Sequence, residues 1–414
     1  MDSRSNSTLK EYLEIRLGPQ HLPSSVVVPI TVVYVLIFIS GVIGNAVVCL
    51  VIARNSQFQT PTNYYLFSLA ISDLLILIFG LPNDLKVFWQ QYPWTFGDVI
   101  CRLRAYVAEM TSNASVLTIV AFTTERYIAI CHPLLVHKFS TLTRAIKIIS
   151  TVWVLACASA IPFAVYTRIN YLDYPADSGI LAEESGICTL PMDNNDVTFP
   201  LLHFSTIVFF CLPMTVIIIL YIKIGLKLRF SKFSGMLADE SKYSPSSGSS
   251  NRQNHLRKSV HKMLVAVVIA FFVCWAPFHA QRLLTANVVS HEDWTAQLRR
   301  LNEVLYYSAG CFYYFSATIN PILYSLLSAK YRGAFRETLC SFTARNEAKS
   351  SQFGRYPTRH SNSYACNNEK HYSIREVSNE ERGKDENKHV SRPDKDKLNG
   401  FIPNTLHDFR ETPV

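Results

Sequence analysis

Charge is scarce over seven long stretches of this 414-residue chain, and that scarcity excludes more than any single motif includes. Asp, Glu, Lys and Arg are absent from Val26 to Ala53, Ile148 to Thr167, Val197 to Ile222, Met263 to Gln281 and Val304 to Ala329. Asn63 to Asn83 holds Asp73 alone, and Ala105 to Thr124 holds Glu109 alone. A helix needs roughly 20 apolar residues to cross the hydrocarbon core of a bilayer, so the pattern predicts an all-α membrane protein, a seven-helix bundle over residues 26–328. Other absences narrow the function. There is no metal-ligand cluster, no Gly-rich phosphate loop and no intramembrane acid pair with protease flanks, which argues against an enzyme. Residues 301–329 contain no lysine for a retinal Schiff base. Internal repeats and multiple intramembrane charges, expected of a transporter or channel, are also missing, which leaves that class a distant alternative. Residues 1–25 lack the apolar core and cleavage site of a signal peptide, so the first span is expected to act as signal anchor.

The formal charge of +9 follows topology. With the N-terminus outside, Arg54, Lys138, Arg144, Lys147, Lys223, Lys227, Lys258 and Lys262 fall on the cytoplasmic side. The outer stretch 168–196 instead carries Arg168 against Asp173, Asp177, Glu183, Glu184, Asp193 and Asp196. Basic residues that flank spans do not form a nucleic-acid surface, so no nucleic-acid partner is expected. Of ten cysteines, only Cys101 and Cys188 face outward, where a bridge is stable; it would tie the top of the third helix to the loop before the fifth. Asn6-Ser7-Thr8 is the accessible glycosylation sequon.

Beyond the bundle, residues 329–342 read as a short amphipathic eighth helix on the membrane surface, with Tyr331, Phe335 and Leu339 at four-residue steps. Cys340 is its candidate palmitoylation site. Residues 343–414 are polar and poor in large apolar side chains, a disordered tail with serines and threonines open to phosphorylation. Its Thr412-Pro413-Val414 ending fits a PDZ-type groove.

Two features mark a conformational switch. Arg126, in Glu125-Arg126-Tyr127, stands at the inner end of the third span, where an arginine is costly unless a partner holds it. The seventh span carries Asn320-Pro321-Ile322-Leu323-Tyr324, and an Asn-Pro pair inside a membrane helix makes a hydrated, deformable joint. With Gly44-Asn45, Leu69-Ala70-Ile71-Ser72-Asp73, Cys101, Trp153, Pro213, Tyr221, Phe271 and Cys274-Trp275-Ala276-Pro277, the chain resembles the rhodopsin-like class of G protein-coupled receptors over roughly residues 26–342. Glu125 departs from the commoner Asp and keeps the charge. Within the class it looks most like the neuromedin U receptors and the arthropod pyrokinin and CAPA peptide receptors. The stretches Pro61 to Leu69, Lys258 to Leu264 and Ala276 to Arg282 carry that likeness.

The resemblance implies an amidated peptide hormone ending in Pro-Arg-x-amide, coupling mainly through Gq to calcium release, and later engagement by a receptor kinase and arrestin. Another short-peptide family is the nearer alternative. An amine receptor would want an acid where Ala108 stands. The resemblance also gives Asp84 and Glu109 the role of holding the peptide's penultimate arginine. Charge points the same way: Asp84 follows Asp73 by eleven residues, close to three helical turns, and Glu109 lies eight residues inside Cys101. A guanidinium can bond two carboxylates with directed hydrogen bonds. The plainer alternatives are Glu109 hydrogen-bonded to Asn113 and Asp84 solvated at the membrane border. Phe278, Tyr306 and Tyr313 are expected to line the rest of the pocket or simply to pack the core, with His279 and Arg282 adding polar contacts. Arg282 has two roles open to it, the peptide or an acid of the outer loop.

Switching is expected to run from Trp275 and Pro277 through Phe271, with Arg126 released from Glu125 toward Tyr221 and Tyr324 turning inward to admit a G protein helix. Asp73, Ser115, Ser316 and Asn320 form a candidate allosteric sodium site.

Overall fold

The structure is a computed structural model. It describes residues 2–134, 141–191, 195–239, 269–288, 295–327 and 331–337, with side chains omitted for 2–7, 195, 230–239 and 324–327. Five of its helices are long and apolar enough to cross a membrane: Ser24–Arg54, Pro61–Trp89, Gly97–Cys131, Leu142–Tyr166 and Asp196–Arg229. The sixth predicted span is helical over 269–287, and the seventh is Ala296–Leu327.

In chain order, α1 is Asp2–Leu17, α2 Ser24–Arg54 and α3 Pro61–Leu75. Thr60 caps α3 and Pro61 stands in its first turn, where a missing N–H costs nothing. A π-helical turn, Ile76–Gly80, leads into α4, Leu81–Trp89, whose Pro82 also lies in the first turn. Helix α5 is Gly97–Cys131, and α6, Leu142–Tyr166, is capped by Thr141. A two-stranded antiparallel hairpin follows, β1 Arg168–Asp173 with β2 Leu181–Thr189, bulged between Asn170 and Leu172. Then come α7 (Asn195–Thr206), a second π turn at Ile207–Cys211, α8 (Leu212–Asp239), α9 (269–287) and α10 (Ala296–Leu327).

Helix α5 is central, packing on α3, α6 and α8, while α10 packs on α2. The polarity is inverted relative to a water-soluble bundle. Val32, Leu36, Ile39 and Ile43 of α2 and Val154, Leu155, Ile161 and Val165 of α6 are exposed, whereas Asn45, Ser68, Asp73, Asn113, Thr118 and Asn320 are buried. Such a surface is stable against lipid, and the inner polar groups must then bond each other. They do: Asn45 Nδ2 donates to Gly41 O and, across to α10, to Ala317 O at 2.8 Å. Trp153 Nε1 donates to Ser68 Oγ at 3.0 Å, joining α6 to α3. Gly44 allows α2 to approach α10 closely, because a Cβ there would lie 2.9 Å from Pro321 Cβ.

Past the seventh span, residues 331–337 are helical, Tyr331 is buried, and its hydroxyl donates to Asn63 Oδ1 at 2.9 Å. Leu339, Cys340 and the tail with its serines and terminal Thr412-Pro413-Val414 lie outside the described residues.

Candidate ligand-binding site

Cys101, one turn into α5, is disulfide-bonded to Cys188 of β2, with the Cα atoms 5.7 Å apart. The bridge lays the hairpin across one end of the bundle. Trp94 N donates to Gly186 O at 2.7 Å and holds the hairpin a second time. Beneath it lies a cavity of about 760 Å³ walled by Tyr34, Phe88, Phe163, Phe278, Tyr306, Tyr313 and Tyr314, with Cys188 to Pro191 along its rim.

Of the residues expected at the ligand, Asp84, Glu109, Phe278, Arg282, Tyr306 and Tyr313 line this one cavity. His279 does not. It is buried, with Nδ1 at 3.2 Å from Thr206 Oγ1 and its ring stacked on Phe210 at 4.7 Å.

Each acid has an arginine of its own. Arg282 Nη1 lies 2.6 Å from Glu109 Oε1, and its guanidinium sits over the rings of Phe163 and Phe278 at 5.1 and 5.0 Å. Asn113, the plainer partner for Glu109, instead donates to Ser159 Oγ at 3.0 Å. Asp84 faces inward although the π turn at Ile76–Gly80 departs from regular helical spacing. Its Oδ1 pairs with Arg104 Nη2, and its Oδ2 accepts from Tyr314 OH at 2.7 Å.

Sequence reasoning did not find Arg104 or Tyr314. A span boundary at Ala105 leaves Arg104 outside as an ordinary flanking charge. Its position three residues past Cys101 is the signal that places it over the cavity. The N-terminal segment was missed as well. Arg16 and Leu17 of α1 line the cavity, Leu13 is buried, and the chain after α1 is pinned by Tyr92 OH donating to Gly18 O at 2.8 Å and Gln20 Nε2 to Tyr92 O at 3.0 Å.

Below the cavity floor, aromatic contacts run inward. Tyr313 stacks on Phe278 at 4.8 Å and meets Trp275 edge-on at 5.5 Å, and Trp275 stacks on Phe271 at 5.8 Å. Asp73 is buried and accepts from Asn320 Nδ2 at 3.0 Å; Ser115 pairs with Ser72 at 2.8 Å, and Ser316 Oγ donates to Tyr313 O at 2.6 Å. At the opposite end of the bundle, Arg126 Nη2 is 3.4 Å from Glu125 Oε1 and bonds Thr62 Oγ1. Tyr221 is buried there. Tyr127 OH lies 3.3 Å from His132 Nε2. The side chains of Tyr324 and Asn6 lie outside the described set.

A bundle of this polarity, with a lidded aromatic cavity at one end and a paired arginine at the other, is the architecture of a receptor that carries a signal across a membrane. The chain matches the 7 transmembrane receptor (rhodopsin family) model over residues 44–324 and belongs to that family, within the group of the neuromedin-U and pyrokinin receptors. It is 40% identical over 369 residues to the Pyrokinin-1 receptor of Drosophila melanogaster, covering 78% of this chain and 82% of that one. To the Neuromedin-U receptor 2 of Homo sapiens it is 40% identical over 337 residues, 81% and 77% of the two chains. To the Neuromedin-U receptor 1 of Homo sapiens it is 38% identical over 331 residues, 78% and 75%. It is a multi-pass membrane receptor and not an enzyme.

Proposed function

We infer that this chain is a plasma-membrane receptor, N-terminus outside, for a short amidated peptide ending in Pro-Arg-x-amide, signalling mainly through Gq to calcium release. The observation that carries the reading is two carboxylates, Asp84 and Glu109, in one largely aromatic cavity beneath a disulfide-tied hairpin. A peptide cation is favoured there because a guanidinium can bond carboxylates by directed, charge-assisted hydrogen bonds while its flat face lies on aromatic rings. The names of the relatives, pyrokinin and neuromedin-U receptors, agree with a peptide ligand. Ligand pressure on Phe278 and Tyr313 reaches Trp275 directly, and the bend that Pro277 permits then moves the sixth span. At the far end, Arg126 leaves Glu125 for the buried Tyr221 hydroxyl, opening a cleft for the G protein. Receptor kinase, arrestin and a PDZ-type protein are assigned to the tail.

Calcium release in cells expressing the chain tests this. An amidated Pro-Arg-Leu peptide should be at least about thirtyfold more potent than its citrulline form, which keeps the shape and loses the charge, since removing the charge from one partner of a buried ligand–carboxylate pair costs upward of about 2 kcal/mol. Equal potency would sink the reading.

Asp73 is a buried carboxylate that accepts from Asn320 Nδ2 and keeps further oxygen lone pairs, the ligand type a hard cation takes, and on the same reading the receptor is assigned an allosteric sodium ion there that favours the resting state. Raising sodium should weaken agonist binding in the wild type. In Asp73→Asn that dependence should vanish, and its persistence would place the sodium effect elsewhere.

A further inference from the structure

Both carboxylates that line the cavity are already matched, Asp84 with Arg104 and Glu109 with Arg282, and Arg16 of α1 adds a further positive charge to the lining. An arriving guanidinium meets no free carboxylate. It must take one from an arginine of the chain itself.

The two pairs are not held alike. The side chains of Arg282 and Glu109 are 13% and 10% exposed, and two aromatic rings flank the guanidinium, so releasing it forfeits cation–π contacts as well as the ion pair. Arg104 and Asp84 are 27% and 28% exposed, where water eases the separation of charge. Asp84 is also anchored independently, since Tyr314 keeps its hydrogen bond to Oδ2 whether or not Arg104 stays on Oδ1. The carboxylate therefore remains aimed into the cavity when its cation leaves.

The surroundings fit a replacement. Phe88 and Tyr306 pack at 5.5 Å beside the pair, and Tyr34 meets Phe88 and Tyr314 edge-on. The Tyr34 hydroxyl is buried, belongs to a cavity-lining residue and has no hydrogen-bond partner among the described residues. Aromatic walls and one carboxylate held from behind suit a planar cation.

We propose that Arg104 is a built-in competitor for Asp84: it occupies the carboxylate in the resting receptor, and the cationic group of the ligand binds by exchanging with it. Arg104 thereby sets the affinity threshold without being needed for contact with the ligand. This rests on the cationic-ligand reading above, and the experiment separates the two.

At matched surface density, the affinities of Arg104→Gln and wild type are compared for an amidated Pro-Arg-Leu peptide and its citrulline form. If the internal pair is closed about nine-tenths of the time, removing it raises apparent affinity about tenfold. The gain should appear for the arginine peptide only, disappear in Arg104→Gln/Asp84→Asn and be reversed by Arg104→Lys. An unchanged or weaker affinity of Arg104→Gln for the arginine peptide overturns the exchange. A peptide-free arm uses L-argininamide on the purified full-length receptor, read as the thermal-unfolding midpoint. It should stabilise Arg104→Gln above wild type and lose that effect in the double variant; equal shifts in wild type and Arg104→Gln also overturn the exchange. A wild type deaf to every Pro-Arg-Leu peptide, with the argininamide result intact, overturns the peptide reading alone.

Discussion

Glu109→Gln is expected to lower agonist potency by about a hundredfold and to lower the thermal midpoint of the empty receptor in the same variant. The first effect follows from charge. The two ion pairs cancel in the wild type, and losing one carboxylate leaves Arg104 and Arg282 against Asp84 alone, a more positive compartment that repels a cation. The second follows from burial. Breaking a desolvated ion pair by removing one partner costs about 3–5 kcal/mol, and glutamine, which still offers one acceptor oxygen to Arg282, belongs at the low end. A loss of about 3 kcal/mol in binding corresponds to roughly two decades in affinity. The two effects part in Glu109→Gln/Arg282→Leu. That variant holds no uncompensated charge at this position, so the thermal midpoint should recover, while the missing carboxylate keeps potency low. Radioligand binding and calcium release on the double variant, beside a thermal unfolding curve, check this. Full recovery of potency together with stability would mean that Glu109 serves only to neutralise Arg282.

Hydrocarbon makes some residues easy to read from sequence and leaves others silent. An acid in the middle of an apolar run has to face inward, so Asp73 and Glu109 declare their orientation without any partner in view. Cys101 and Cys188 declare theirs because the remaining thiols lie in spans or on the reducing side of the assigned topology. Asp84 was placed by helical phase, and it reaches the cavity even though the π turn at Ile76–Gly80 alters that phase. Pairing is a different matter. That Glu109 is met by Arg282 and not by Asn113, or Asp84 by Arg104, depends on how α9 and α4 are set against α5, which no spacing within one helix encodes. His279 shows the limit from the other side: three residues from Arg282 on the same helix, it turns to Thr206 and Phe210 on the α7 side. The polar run before residue 24 gave no sign that α1 would bring Arg16 to the cavity, because its anchors, Tyr92 and Tyr174, lie far away in sequence.

Reducing the Cys101–Cys188 bridge on the folded receptor is expected to cost most of its agonist affinity while leaving the bundle intact. The bridge closes a loop of 87 residues, which by chain entropy alone is a constraint of about 4–5 kcal/mol on an unfolded chain. In the folded protein the ends of the hairpin are already fixed by α6 and α7, so the bridge contributes less to holding the helices together than to fixing the hairpin over the cavity. Cys188, Thr189, Leu190 and Pro191 line the cavity in sequence, and Leu172 faces it from β1. Once the tether is cut, the Trp94 to Gly186 hydrogen bond still links the hairpin to the segment before α5. One hydrogen bond contributes only about 1 kcal/mol, too little to keep the wall in place most of the time. Apparent affinity scales with the fraction of receptors that are binding-competent, so a wall seated one time in a hundred gives a hundredfold loss. Cys101→Ser/Cys188→Ser also passes through folding without its cross-link and should show a lower surface yield besides. Mild reductant on receptors already at the surface separates the two roles. With reduction at Cys101 verified by mass spectrometry, binding should fall by about a hundredfold while helical circular dichroism of the purified receptor holds. Affinity that survives verified reduction would confine the bridge to folding and leave the cavity wall to hold itself.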